Sequence, residues 1–136
     1  MTFSFEIVTP EKTVFKDDIN ELIVPTITGE LTILPNHVSL MTQIDPGELT
    51  IKKDNKEYFL AVTGGFLQIN NNIVSILADY AVRSEEIEIA KAQEAQIRAE
   101  KAMQEKASDR DFALAEAQFK RAILELKVAH RRKKLI

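Results

Sequence analysis

The first 82 residues repeat with a period of two. Apolar and polar residues alternate through Phe3-x-Phe5-x-Ile7, Leu31-x-Ile33 and Leu49-x-Ile51. Further apolar runs recur at Leu22-Ile23-Val24, Tyr58-Phe59-Leu60-Ala61-Val62 and Ile73-Val74-x-Ile76-Leu77. Successive side chains of a strand point to opposite faces of its sheet, so this period marks half-buried strands. Thr9-Pro10, Asp17-Asp18, Asp45-Pro46-Gly47, Asp54-Asn55 and Asn70-Asn71-Asn72 stand between the runs and read as turns. Short strands with turn signals about every eight to twelve residues predict an antiparallel β-sandwich of about eight to ten strands. Gly64-Gly65 sits inside a strand pattern, where missing side chains predict a bulge or a close backbone approach. After the strand at Leu31–Ile33, Pro35 is a stop and His37 stands at the entry to the next strand; the residues alone favour a histidine hydrogen-bonded in this proline-bounded loop.

At Arg83-Ser84 the period changes. Ser84 suits a helix N-cap, and Glu85, Glu86 and Glu88 suit the positive end of a helix dipole. From there on the chain holds no Gly or Pro and is rich in helix formers. A break at Lys106-Ala107-Ser108 is followed by a second capping pattern, Ser108 with Asp111. The expected architecture is therefore a β-sandwich over residues 1–83 and an antiparallel helical hairpin over 84–136, with helices near 85–106 and 109–132. Their seam reads as Ala92, Ala95, Ala99 and Ala102 facing Phe112, Ala115, Phe119, Ala122, Leu126 and Ala129. Alanines bury little area at roughly 25 cal/mol per Å2, so this hairpin is expected to be marginally stable alone. It is either a loosely held, movable element or a hairpin packed permanently on its own sandwich.

Composition narrows the class. Of 136 residues, 45% are hydrophobic and 29% charged, as in soluble globular proteins. No apolar run approaches the roughly 20 residues of a membrane span, so any membrane association is expected to pass through a partner. No secretory or organelle leader is expected either, since the N-terminus lacks a basic-apolar-small series and an Arg-rich amphipathic stretch. Residues 1–82 carry 5 basic and 11 acidic side chains, and residues 83–136 carry 13 and 10. An acidic body with a basic tail implies two surfaces with different partners. With no cysteine, disulfides, thiolate catalysis and sulfur metal sites are excluded.

Catalytic chemistry finds no support. The two histidines, His37 and His130, lie in different halves, and no Gly-x-Ser-x-Gly, Walker-type, dinucleotide or metal-ligand spacing occurs. Asp17-Asp18 and Glu85-Glu86 read as a turn and a helix start rather than as an acid/base pair. The expectation is a chain that is no enzyme on its own and holds no metal or cofactor.

The order Gly29-x-Leu31-x-Ile33-Leu34-Pro35-x-His37, then Gly47, is more specific than alternation. It resembles the signature of the epsilon subunits of rotary F-type ATP synthases. Gly64-Gly65-Phe66 and the two-helix tail are similar to that family too, and the likeness covers the whole chain. Where the family usually has Gly and Pro, this chain has Asn36 and Ser39; Asn tolerates the left-handed backbone that Gly prefers.

The resemblance implies a non-catalytic central-stalk subunit. Its complex makes ATP from a proton or sodium gradient and lies peripherally on the cytoplasmic face of a bacterial plasma membrane, with a plastid thylakoid as the alternative. Glu30 and His37 are then contacts to the gamma subunit and the ring of c subunits. The tail would dock on the beta subunit of the catalytic head through Lys120, Arg121, Lys127, Arg131 and Arg132 and inhibit ATP hydrolysis. Some members bind ATP on the hairpin through Ile-Asp-x-x-Arg-Ala and Arg-Ala-x-x-Arg. Here the matching residues are Ile87-Glu88-x-x-Lys91-Ala92 and Arg121-Ala122-x-x-Glu125, a degraded pattern beside which Arg98 remains a phosphate contact to consider. Lysine lacks the guanidinium fork and Glu125 opposes a phosphate, so ATP is expected to be a weak regulatory ligand at most. On the residues alone, other readings stay open. One is a free-standing β-sandwich ligand-binding module with a coiled-coil tail. In another the basic end Lys127-x-x-His130-Arg131-Arg132-Lys133-Lys134 binds nucleic acid, although interleaved aromatics are missing. A third has the same cations simply opposing the helix dipole.

Overall fold

The computed structural model describes the backbone of residues 1–105 and 108–134, and side chains up to residue 130. Two compact units divide the chain, Met1–Arg83 and Ser84–Ile136.

The first unit holds ten strands: β1 Phe3–Val8, β2 Thr13–Ile19, β3 Glu21–Thr26, β4 Gly29–Ile33, β5 Leu40–Ile44, β6 Gly47–Lys53, β7 Lys56–Val62, β8 Gly65–Asn70, β9 Ile73–Ala78 and β10 Ala81–Arg83. They run in the order β10-β7-β6-β3-β5-β8-β9-β1-β2, with β4 beside β3. The path bends where β3 meets β5, which share the single pair Thr26 and Ile44. On either side of that corner lie the two layers of a sandwich. The alternation read from the sequence is the inner face. Phe3, Phe5 and Ile7 of β1 are buried with Leu22 and Val24, Leu49 and Ile51, Leu60 and Val62, Leu67 and Ile69, and Val74 and Ile76.

Two hairpins close with two-residue turns. Asp54-Asn55 joins β6 to β7 and Asn71-Asn72 joins β8 to β9, all four residues at positive φ between 50° and 66°. Consecutive positive φ values match the right-handed strand twist, and Asn and Asp tolerate them best after Gly. At Gly65 the expected close approach is present. Its φ is +144°, and a Cβ there would lie 2.0 Å from the Leu77 carbonyl oxygen, so only hydrogen fits.

Three sequence expectations change. Asp17 and Asp18 are strand residues of β2, not a turn; they face Phe5 and Ser4 of β1 with both carboxylates exposed. An edge strand tolerates such residues because one of its faces meets water. The sandwich is not wholly antiparallel, since β1 inserts parallel to β9 while every other pairing is antiparallel. His37 does not enter a strand: it sits in the turn before β5, which begins at Leu40, as the hydrogen-bonded loop histidine that the residues alone favour.

The second unit opens with a 3-10 turn, Ser84–Glu86, followed by α1 Ile89–Glu105 and α2 Asp109–Lys134. The first helix thus starts four residues after its expected position at 85. The Ser84 hydroxyl reaches the Glu85 carboxylate at 3.4 Å, and the Ile87 amide donates to the Ser84 carbonyl at 3.2 Å. That closes a tight turn and buries Ile87 before the helix begins. The Ala92 amide then donates to the Glu88 carbonyl at 3.0 Å, which makes Glu88 the cap. The expected end of the first helix at 106 lies outside the described residues. The second start follows the expected pattern: the Asp111 amide donates to Ser108 Oγ at 3.0 Å. The helices pack on one another, and three residues between them leave room only for an antiparallel return. Ala92 and Ala99 are buried against a second helix that buries Ala115, Ala122, Leu126 and Ala129. Ala102 is exposed, contrary to expectation, and Met103 is half-buried instead. The stripe advances by four there rather than three, following the 3.6-residue turn.

Candidate functional site

The turn between β4 and β5 is a built structure. Asn36 has φ 63°, the left-handed value that Gly adopts freely and Asn tolerates. Its amide donates to Asn72 Oδ1 at 2.8 Å, and Asn72 Nδ2 donates to the Thr2 carbonyl at 3.0 Å. Ser39 Oγ reaches Asn70 Oδ1 at 3.4 Å. Three segments are therefore tied together: the His37 turn, the β8–β9 hairpin and the N-terminus. His37 is half-buried, and its Nδ1–H donates to the Val38 carbonyl at 2.8 Å. Glu30 lies exposed in β4 opposite Pro25 of β3. It is placed near that turn by chain order; among the described residues no hydrogen bond or ion pair joins it to His37.

Sequence reasoning missed what lies beside the turn. Val38 is 77% exposed, Met41 68%, Phe66 57% and Leu77 62%. Phe66 stands opposite Gln43 on one side and Leu77 on the other, and Met41 opposite Gln68, so Met41, Phe66 and Leu77 share the outer face of β5-β8-β9. Leu34 and Ile73 add to the exposed apolar surface. A grouped apolar patch on a sheet face marks an interaction surface. The signal was present as Phe66 and Leu77 out of phase with the core alternation.

On the helical unit, Lys120, Arg121 and Lys127 are exposed on α2. Lys120 pairs with Glu116 at 3.6 Å, one turn away. Arg121 donates from Nε to Glu125 Oε1 at 3.1 Å. Arg131 and Arg132 continue α2, but their side chains lie outside the described residues.

The residues of the degraded ATP pattern are used internally. Ile87 and Ala92 are buried, Lys91 pairs with Glu88 at 3.3 Å, and Arg98 is exposed on α1. Arg121 already has the Glu125 carboxylate at its Nε. No group of three or more His, Asp or Glu side chains that could hold a metal is found among the described residues. Nor is any described helix long and apolar enough to cross a membrane.

Comparison with known proteins places both units. Residues 2–84 match the family described as ATP synthase, Delta/Epsilon chain, beta-sandwich domain, and residues 85–130 match its long alpha-helix domain. A protein of Dehalococcoides mccartyi called ATP synthase epsilon chain is 45% identical over 130 residues, covering 95% of this chain and 93% of that one. Another of the same name from Caldanaerobacter subterraneus is 41% identical, covering 94% of each. Among solved structures, a chain of the Euglena gracilis mitochondrial ATP synthase superposes with a TM-score of 0.76 at 22% identity, covering 95% of this chain and 81% of that one. At that identity the likeness speaks for the fold alone. The family matches and the close relatives together span the sandwich, the His37 turn and α1 with most of α2: the chain belongs to the ATP synthase delta/epsilon family, on its epsilon side.

Proposed function

We propose that this chain is a non-catalytic subunit of the central stalk of a rotary F-type ATP synthase, with residues 1–83 bound to the rotor and residues 84–136 acting on the catalytic head. The observation that carries the rotor half is the exposed apolar face of β5-β8-β9 beside the braced His37 turn. A patch of Val38, Met41, Phe66 and Leu77 is costly to leave in water, and a subunit held permanently in a complex has a partner to cover it. The apolar face suits the gamma subunit. The polar turn, with His37 and Glu30, suits the polar loops of the c ring. Fixed side chains on a hydrogen-bonded turn lose little conformational entropy on docking, which favours a tight joint in a part that transmits torque.

The helical unit supplies the regulatory half. Lys120, Arg121 and Lys127 lie exposed on α2, and a cationic helix surface attracts an acidic segment of the beta subunit. ATP is a weak ligand at most, because Glu125 already holds Arg121. The complex places the chain at a membrane indirectly, on the cytoplasmic face in a bacterium.

Cross-linking tests the rotor half. The chain has no cysteine of its own, so single cysteines at Glu30, His37 and Phe66 report unambiguously. In the assembled complex, Phe66→Cys should link to gamma, and Glu30→Cys and His37→Cys to the c ring or gamma. Reaction of all three only with soluble maleimide in the intact complex would falsify this arrangement.

A further inference from the structure

The segment from Leu34 to Ser39 lies between β4 and β5, and none of its residues is buried. Core packing therefore does not set its shape. It is gripped instead at two points. The Asn36 amide donates to Asn72 Oδ1 at 2.8 Å, and Ser39 Oγ donates to Asn70 Oδ1 at 3.4 Å. His37 and Val38 stand between the grips, and Val38 is 77% exposed. The shorter contact is the stronger one, so Asn72 holds more of the turn than Asn70 does.

Asn72 meets four demands at once. Its φ is 62°, which the two-residue turn into β9 requires and few residues besides Gly, Asn and Asp adopt. Its carbonyl accepts from the Ser4 amide at 3.1 Å. Its Oδ1 takes the Asn36 amide, and its Nδ2 donates to the Thr2 carbonyl at 3.0 Å. A backbone amide only donates and a carbonyl only accepts, so these partners fix which way the carboxamide points. Gly would supply the φ without a side chain. Asp would supply the φ and the acceptor without the donor. Gln would carry its amide one carbon too far. Turn chemistry accounts for the φ alone. It does not account for a carboxamide spent on Asn36 and Thr2, 36 and 70 positions away in the chain.

We propose that Asn72 is a positioning residue for the rotor contact. Acting through Asn36, its Oδ1 sets the direction in which the turn presents His37 and Val38, with Asn70 as the lesser second grip. The role rests on the turn meeting the rotor, and it adds that the aim of the turn is set from the β8–β9 hairpin.

The test uses the full-length chain in the assembled complex, with His37→Cys or Phe66→Cys as the sole cysteine. Asn72→Gly keeps the backbone conformation and removes the acceptor. It should lower the His37→Cys cross-link yield about fivefold, the effect of one lost hydrogen bond, and leave the Phe66→Cys link unchanged. Asn72→Asp keeps an oxygen for the Asn36 amide and should keep most of the yield. Ser39→Ala removes the weaker grip without touching the hairpin and should lower the yield about twofold, so the idea stays exposed to failure even if Asn72→Gly folds poorly. Two-dimensional NMR of the free chain needs no partner: in Asn72→Gly the Asn36 amide should shift and lose exchange protection while the amides of β8 and β9 away from the turn stay in place. If those changes appear but His37→Cys never links even with Asn72 present, the rotor reading falls and Asn72 still sets the turn. An unmoved Asn36 amide, full His37→Cys linking in Asn72→Gly, a parallel loss at Phe66→Cys, or an equal loss in Asn72→Asp overturns the proposal.

Discussion

At the residue scale, two positions carry sharp consequences. Gly65 combines φ +144° with a backbone carbonyl where a Cβ would stand, so Gly65→Ala meets both strain and collision. The β8–β9 pairing must then shift, at a cost of about 3 kcal/mol. A thermal melt of Gly65→Ala should fall well below that of Gly29→Ala, where φ is +118° but nothing lies within 4 Å. The second position is Asp17. The Lys53 hydrogen bond, then that of the Asp18 amide, holds its carboxyl below the ordinary value of 3.8, and Asp17 in turn holds the Lys53 ammonium above 10.5. A depressed carboxylate contributes stability above its unfolded pKa and loses it as pH falls through the folded one. A raised ammonium contributes below its unfolded pKa and loses it as pH rises through the folded one. The pair should therefore act from about pH 4 to about pH 10 and fade on both sides. Asp17 is exposed and Lys53 partly so, so the effect is small and salt-sensitive. The melting difference between wild type and Asp17→Asn should shrink toward zero below about pH 3, and a difference constant from pH 2 to 7 would contradict the assignment.

At the element scale, the hairpin's chemistry is set by substitutions one turn apart. Arg121 and Glu125 face each other on α2 as Glu88 and Lys91 do at the start of α1, so Arg121 and Lys91 each have a carboxylate beside them. ATP must break such a pair before it binds, and lysine offers no planar fork afterwards. Calorimetry on the full-length chain should give an ATP affinity weaker than about 1 mM. Adding Lys91→Arg and Glu125→Arg should strengthen it about tenfold or more. Micromolar binding before those changes would restore a nucleotide-sensing role. The elements also show what a sequence can reveal. Phe3, Phe5 and Ile7 announce β1 because every second residue is buried. β2 was hidden because its outward residues, Lys16, Asp17 and Asp18, are those that also make turns. Turn chemistry is local, whereas an edge strand is defined by the neighbour it pairs with. Likewise, Ser84 has the side chain of a helix cap but a tertiary position that buries it in a 3-10 turn. The His37 turn was legible as a motif, while its bracing by Asn70 and Asn72 depends on residues more than 30 positions away that no local pattern connects.

At the scale of the whole molecule, two units of unlike construction share one chain. The bulky β-branched and aromatic core lies almost wholly in residues 1–83, whereas the helices meet over a seam of alanines. A fragment ending at Ser84 should melt cooperatively with a β-type circular dichroism spectrum; an unfolded fragment would show that the sandwich depends on the tail. The helical unit buries less apolar area, so its arrangement is the cheaper one to change. A tenfold shift between a braking and a non-braking conformation needs only about 1.4 kcal/mol, comparable to one or two partly buried charge pairs. Lys127, together with Lys120 and Arg121 once they exchange Glu116 and Glu125 for an acidic partner, would supply such pairs. Truncation after Ala107, which removes α2 and leaves the sandwich untouched, should raise ATP hydrolysis by the soluble catalytic portion severalfold while assembly proceeds normally. Neutralising Lys120, Arg121 and Lys127 together should recover part of that increase, and added salt should mimic it, since screening weakens exposed pairs within a Debye length of about 8–10 Å. If truncation leaves hydrolysis unchanged at both low and high ATP, the helices are a fixed structural cap and the brake lies elsewhere in the complex.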